Sequence, residues 1–252
     1  MPAQTIAILG VHVHPLTVDE LHQCLADVID QRRRALAFYV NVHGLNLAVD
    51  NPWLRDTWNE AEIVFCDGAG VILGARLLGH HIPERITGAD WLWQLAEFAN
   101  NRGYSLYFLG AQPGNAQTAA DRLLERLPDL KIVGVQHGYF NKTRGHPENE
   151  AVVHDINRCQ PNILVVGMGM PLQEQWLRDN WQDLKVNVAL TTGAAFDYLS
   201  GQVQRAPLWM NDHSLEWLGR LLIEPRRLWR RYVLGNPIFL ARILEERLFG
   251  RH

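Results

Sequence analysis

Residues 61–90 read AEIVFCDGAGVILGARLLGHHIPERITGAD, and the order of signals within them decides the fold. Ile63-Val64-Phe65-Cys66 is a short apolar run of strand type, and Asp67-Gly68-Ala69-Gly70 stops it. Beyond the turn, Val71, Ala75 and Leu78 fall at i, i+4 and i+7, which is one face of a helix. Gly74 weakens that helix without forbidding it. Strand, acidic glycine turn and helix in this order predict an α/β unit. Its turn then lies at the carboxyl edge of the strands, where open α/β sheets bind ligands. Asp67 is the only carboxylate between Glu62 and Glu84. Held at that edge it can accept a proton from an incoming hydroxyl as a general base. Aspartate is also a favoured N-cap, so a purely structural role stays open.

The same grammar extends in both directions. Upstream, Ile6 to Val13 reads as one strand, and Thr17 stands three residues before Glu20 as a capping box for a helix reaching about Arg33. Leu36 to Val42 is a strand, followed by helices from His43 to Asp50 and from Trp53 to Ala61. Downstream, a helix follows Asp90, and strands are expected at Ser105–Leu109, Lys131–Gln136, Asn162–Val166 and Val186–Thr191, with a helix over residues 116–126. Alternating strands and helices bounded by glycine turns predict a Rossmann-like, mostly parallel sheet with helices on both faces. From Ser214 the pattern is helical only. Pro225 interrupts its first helix, and Gly235-Asn236-Pro237 separates the second from the third. The expected division is an α/β catalytic domain over 1–200 and a basic helical appendage over 201–252.

Totals narrow the class. A chain of 252 residues with 47% hydrophobic content can bury a large core. Its three cysteines, Cys24, Cys66 and Cys159, lack disulfide or zinc spacing, which fits a reducing compartment. No apolar run reaches the roughly 18 residues of a membrane span, and no basic-then-apolar start marks a signal peptide. A cytoplasmic protein is expected, touching a membrane from its surface if at all. The net charge of −3 is uneven: residues 220–252 hold eight Arg against three Glu, a local +5 that leaves −8 elsewhere. A basic tail on an acidic body points to an anionic partner. Arg226, Arg227, Arg230 and Arg231 recur around Leu228, Trp229, Tyr232 and Val233, as in a helix lying in an anionic membrane interface. A solvated capping helix is the competing reading. The acidic body argues against nucleic acid.

Three small-residue turns, at Gly110, Gly167 and Gly193, allow close backbone approach and present helix N-termini to phosphate. Together they suggest a nucleotide or sugar-phosphate pocket. None matches the dinucleotide or P-loop pattern, so a nicotinamide-dependent oxidoreductase is only an alternative, as is a non-catalytic membrane-surface adaptor. Arg85 can neutralise a diphosphate through paired hydrogen bonds, and Gln173 can bond sugar hydroxyls; a solvated loop arginine and a helix-start residue are the plainer roles. The scattered histidines show no metal-ligand spacing.

The chain resembles the WecG/TagA/CpsF family of bacterial glycosyltransferases, from about Asn41 to Phe239. The resemblance runs through Asn41 with Leu45-Asn46-Leu47-Ala48, Asp67-Gly68-Ala69-Gly70, Arg85-Ile86-Thr87-Gly88-Ala89-Asp90, Gly138-Tyr139-Phe140, Val166 to Glu174, Gly193 to Asp197, Arg205 to Trp209 and Glu224 to Tyr232. It implies an inverting transferase that needs no metal or other cofactor. Such an enzyme moves a sugar (N-acetylmannosamine, its uronic acid or a related hexose) from a UDP-sugar donor to a polyprenyl-diphosphate-linked acceptor, peripheral on the inner face of the cytoplasmic membrane, in cell-surface polysaccharide synthesis. By the same resemblance Asp67 is the general base. Asn41, Arg85, Thr87 and Gln173 are pocket residues, Tyr139 and Asp197 lie near the nucleotide, and the arginine tail closes the pocket and meets the membrane. Tyr39 stands where family members often carry Thr. A homo-oligomer is compatible with all of this.

Overall fold

The structure is a computed structural model, and it describes residues 4–203 and 216–250, with the side chains of Ala89, Glu216, Arg220 and Arg227 excepted. The Arg205–Trp209 motif lies outside the described residues.

Six parallel strands form the central sheet: β3 (Ala35–Val40), β4 (Ile63–Cys66), β5 (Ser105–Gly110), β6 (Lys131–Gln136), β7 (Ile163–Gly167) and β8 (Val188–Thr191), in the order β4-β3-β8-β7-β5-β6. Their side chains alternate between two cores. Ala35, Ala37 and Tyr39 face one side with α1 (Val18–Asp30), α5 (Gly88–Arg102), α6 (Asn115–Arg126) and α9 (Ala195–Leu199). Leu36, Phe38 and Val40 face the other, with α2 (Val42–Asp50), α3 (Pro52–Asn59), α4 (Ala69–Leu77), α7 (Pro147–Cys159) and α8 (Leu172–Asn180). Burial on both faces explains why the strands read as continuous apolar runs.

Three expectations are corrected. Ile6–Val13 is not one strand: β1 (Ile6–Ile8) and β2 (Val11–Val13) form an antiparallel hairpin. Its turn residues Leu9 and Gly10 both have positive φ, 51° and 75°, the backbone of a tight two-residue turn, and Gly10 was its signal. The helix α7 is an addition. Its buried Asn149 donates to Asn180 Oδ1 at 2.7 Å and accepts from Trp176 Nε1 at 2.8 Å, so a polar residue interrupts the apolar spacing there. In the tail, α10 (Glu216–Ile223) and α11 (Pro225–Trp229) part at Pro225 as expected. Gly235-Asn236-Pro237, however, does not break the chain: a π-helical turn, Arg230–Leu234, runs directly into α12 (Gly235–Phe249). Gly235 N–H donates five residues back to Arg230 O, the wider π register, and Pro237 falls in the first turn of α12.

The tail helix α12 is docked on the domain. Phe239 and Ile243 are fully buried in the core that holds β1, β2 and α2–α4. Polar ties add to this: Leu9 N–H donates to Glu246 at 2.9 Å, Asn46 Nδ2 to Gly235 O at 2.8 Å, and Arg242 to Asn46 O at 2.9 Å and to Asp50 at 2.6 Å.

Candidate active site

All six strands end on one edge, which brings Asn41, Asp67, Gly110, Gly167 and Gly193 to the same side of the sheet. Asp67 follows β4 directly and donates its backbone N–H to Val40 O at 2.8 Å. After α4 the chain returns along β4, with Ile86 N–H donating to Cys66 O at 3.0 Å, and this carries Arg85 to the same place. The Cys66 thiol senses all of it: burial raises its pKa furthest, the neighbouring Asp67 adds to the rise, and Arg85 opposes it.

Two cavities open here. One, of about 730 Å³, is lined by Arg85, by Gly68, Gly70 and Leu73 at and in α4, and by Trp217, Val233, Phe239 and Leu240 of the tail. The second, of about 590 Å³, is lined by Tyr39, Thr87, Gly88, Gly169, Gly193 and, from the tail, Arg230. Asn41, His43, Asp67 and Arg231 belong to both. The first is strongly apolar and the second is the more polar of the two, and Asp67, which lines both, stands in the partition.

Local sequence accounts for these positions. Asn41 is the N-cap of α2, its Oδ1 accepting from Gly44 N–H at 3.0 Å, so the group it offers the cavities is its NH₂. Thr87 precedes α5 but makes no capping bond; its hydroxyl is buried without a hydrogen-bond partner in the wall of the polar cavity. The N-terminus of α5, at Gly88, opens on that cavity and favours negative charge. Gly193 has φ of 58°, and a Cβ there would fall 2.4 Å from the Tyr39 hydroxyl, so this turn tolerates only glycine.

Other expected residues sit elsewhere. Gln173 is fully buried beneath the cavity wall rather than on it: its Oε1 accepts from Gly169 and Gly193 N–H, both at 3.2 Å, and its Nε2 donates to Glu174 at 2.9 Å. The amide is bonded within the protein at both ends and lines neither cavity. Gly110 and Gly167 pair at the ends of β5 and β7 and line neither cavity. Tyr139 is 64% exposed on the loop after β6, and Asp197 accepts from Asn115 Nδ2 at 2.7 Å, tying α9 to α6; both are outside these two cavities. Arg226 is exposed and lines neither, and the Arg227 side chain lies outside the described residues.

The sequence marks Arg231 only as one of four tail arginines, and it does not single out His43 at all. Arg231 comes from the π-helical turn, a feature frequent at functional sites, and its Nε is buried without a hydrogen-bond partner. His43 follows α2's first residue; burial, and then the charge of Arg231, lower its pKa to about 4, so it is neutral at pH 7. A lone histidine carries no sequence signal, and helical spacing does not tell Arg231 from its three neighbours; the docking of the tail brings the two together. Among the described residues no cluster of three His, Cys, Asp or Glu has the geometry to hold a metal.

Residues 6–252 match the family described as Glycosyl transferase WecG/TagA/CpsF. The chain belongs to this glycosyltransferase family. Relatives include proteins named N-acetylglucosaminyldiphosphoundecaprenol N-acetyl-beta-D-mannosaminyltransferase. The one from Bacillus subtilis is 29% identical over 218 residues, 86% of this chain and 82% of its own. The Staphylococcus aureus protein is 26% identical over 240 residues, 94% and 91% of the two chains. Membership of the WecG/TagA/CpsF family sets aside the oxidoreductase and the non-catalytic adaptor, and the α/β fold agrees with the expected Rossmann-like architecture.

Proposed function

We propose that this transferase moves N-acetylmannosamine, or a close relative, from UDP to a sugar on a polyprenyl diphosphate, with inversion. The observation that carries this is the shared wall: Asp67 faces both cavities. The UDP-sugar occupies the polar cavity, its diphosphate toward the α5 N-terminus and Arg231. The acceptor enters through the apolar cavity, whose Leu73, Phe239 and Leu240 suit the first isoprene units and whose Arg85 suits the diphosphate. The acceptor hydroxyl then meets the anomeric carbon beside Asp67. Asp67 takes the hydroxyl proton as the new C–O bond forms on the face opposite UDP. An ordinary Asp, with pKa of about 3.9, is a weak base for a hydroxyl; the proton becomes acidic only as the oxygen bonds to carbon, which confines the transfer to the transition state.

The leaving diphosphate is met by fixed positive groups, Arg231, Arg230 and the helix N-terminus, and the reaction is metal-independent in this proposal. EDTA then leaves turnover intact; loss of activity restored by Mg²⁺ would refute that part. Attachment to the inner face of the membrane goes through the tail. What supports it is the exposed apolar set Leu222, Trp229, Val233 and Leu248 beside Arg226, Arg230 and Arg247. Among the described residues no helix is long and apolar enough to cross a membrane. The deciding experiment is calorimetric titration with UDP, then a panel of UDP-sugars on a GlcNAc-diphosphate-polyprenol acceptor. UDP release only in the presence of acceptor is expected; failure to bind UDP at all would overturn the assignment.

A further inference from the structure

Glu174 is fully buried at the start of α8, under the polar cavity. One carboxyl oxygen accepts from Gln173 Nε2 at 2.9 Å; the other is buried without a hydrogen-bond partner. Gln173 cannot turn its amide over. Its Oε1 receives two backbone N–H groups, from Gly169 and Gly193, and a flipped NH₂ would set donor against donor at both. Gly169 and Gly193 belong to the turns after β7 and β8 that line the cavity, and the Tyr39 phenol closes against Gly193. One side chain thus joins two turns at its oxygen, and the Glu174 carboxyl holds its nitrogen end.

We propose that Glu174 is a positioning residue for the sugar-nucleotide donor: its buried, uncharged carboxyl locks Gln173, which clamps the Gly169 and Gly193 turns in the binding conformation. This rests on the reading of the polar cavity as the donor site. Ionisation would place a charge in a fully buried site whose one side-chain donor is Gln173, and the anion would pull the Gln173 amide, or water, toward itself and loosen the clamp. Burial raises the Glu174 pKa to about 8, opposed by the hydrogen bonds from Gln173 and from its own backbone N–H. The neighbouring elements add little charge. The ionisable group it faces on β3 is the Tyr39 phenol, which Asp67 and Arg231 also influence. Arg55 and Asp56 of α3 pair with each other at 3.8 Å, and β8 (Val188–Thr191) has no ionisable side chain.

The test compares full-length wild type, Glu174→Gln and Glu174→Ala by UDP titration between pH 6 and 10, with thermal midpoints over pH 4 to 10. Wild-type UDP affinity, and donor KM rather than kcat, should worsen about tenfold per pH unit above roughly pH 8. Glu174→Gln cannot ionise and should lose that alkaline limb; UDP's own ionisations act on both proteins alike. Glu174→Ala, which frees Gln173, should bind UDP weakly at every pH. The folded pKa is raised, so the stabilisation is complete below the ordinary value of 4.5 and is lost as pH rises to about 8. The wild-type midpoint should therefore fall relative to Glu174→Gln across that window and level off above it. The same alkaline limb in Glu174→Gln, or midpoints that run parallel, would overturn the proposal. Absence of UDP binding by wild type at any pH would instead strike the donor-site reading, and the positioning role with it, while the midpoints still report the proton.

Discussion

The ring of Phe239 fills the space that a side chain on Gly74 would need: a Cβ built on Gly74 falls 2.6 Å from its edge. Gly74 is therefore not a flaw in α4, the helix that follows Asp67, but the seat of the C-terminal helix. Phe239 and Ile243 are as buried as any strand residue. Gly74→Ala gains about 1 kcal/mol of helix propensity and should still destabilise the protein, because the clash displaces the ring. Phe239→Ala should cost about 3–5 kcal/mol. Urea unfolding measures both; a stabilised Gly74→Ala would show that the helix does not sit there. Deleting everything after residue 214 would open this core, so a truncated chain does not test membrane binding cleanly.

Asp67→Asn should lower turnover by about 10²–10⁴-fold, the usual range for a positioned base. UDP affinity should change little, because the shape of the partition is kept. Single-turnover kinetics beside UDP titration separates the two, and unchanged turnover would remove Asp67 from the chemistry.

Arg231 acts on developing charge from the partition itself. Arg231→Lys should lower kcat by about 10²–10³-fold, because a lysine ammonium lacks the planar fork that matches a diphosphate. Arg226→Lys, outside both cavities, should leave kcat within a few-fold. Equal effects of the two would mean that only the tail's total charge matters.

Two half-buried histidines contribute to the acid limit of stability. Burial lowers His22 to about 4 and, with Arg231, lowers His43 to about 4, against an ordinary 6.5. With the folded pKa depressed, stability is present above pH 6.5 and is lost as pH falls toward 4, because the unfolded chain takes up the protons first. Denaturation midpoints should drop through this window, and less steeply in His22→Phe, whose ring keeps the stack on Phe98 at 4.5 Å. An unchanged slope in that variant would exclude His22 as a source.

Vesicle binding should fall in Leu222→Ser/Leu248→Ser, two exposed positions, with folding intact by circular dichroism. Each arginine near an anionic surface contributes about 1 kcal/mol, so binding should also weaken between 50 and 500 mM salt, on the order of a Debye-length effect. Binding insensitive to both would place the membrane contact elsewhere.

The sequence by itself determined the parallel α/β core, the cap at Thr17, the strand that ends at Cys66 and the turn that presents Asp67, since each rests on local spacing and local turn chemistry. The family resemblance added the reaction class. Tertiary structure decided what spacing cannot encode. It turned Gln173 from a pocket wall into a buried brace, because two turns distant in sequence converge on its oxygen. It also brought Arg231 and His43 to Asp67, because the docking of Phe239 against Gly74, two residues with no mutual signal in the chain, sets where the tail's arginines point.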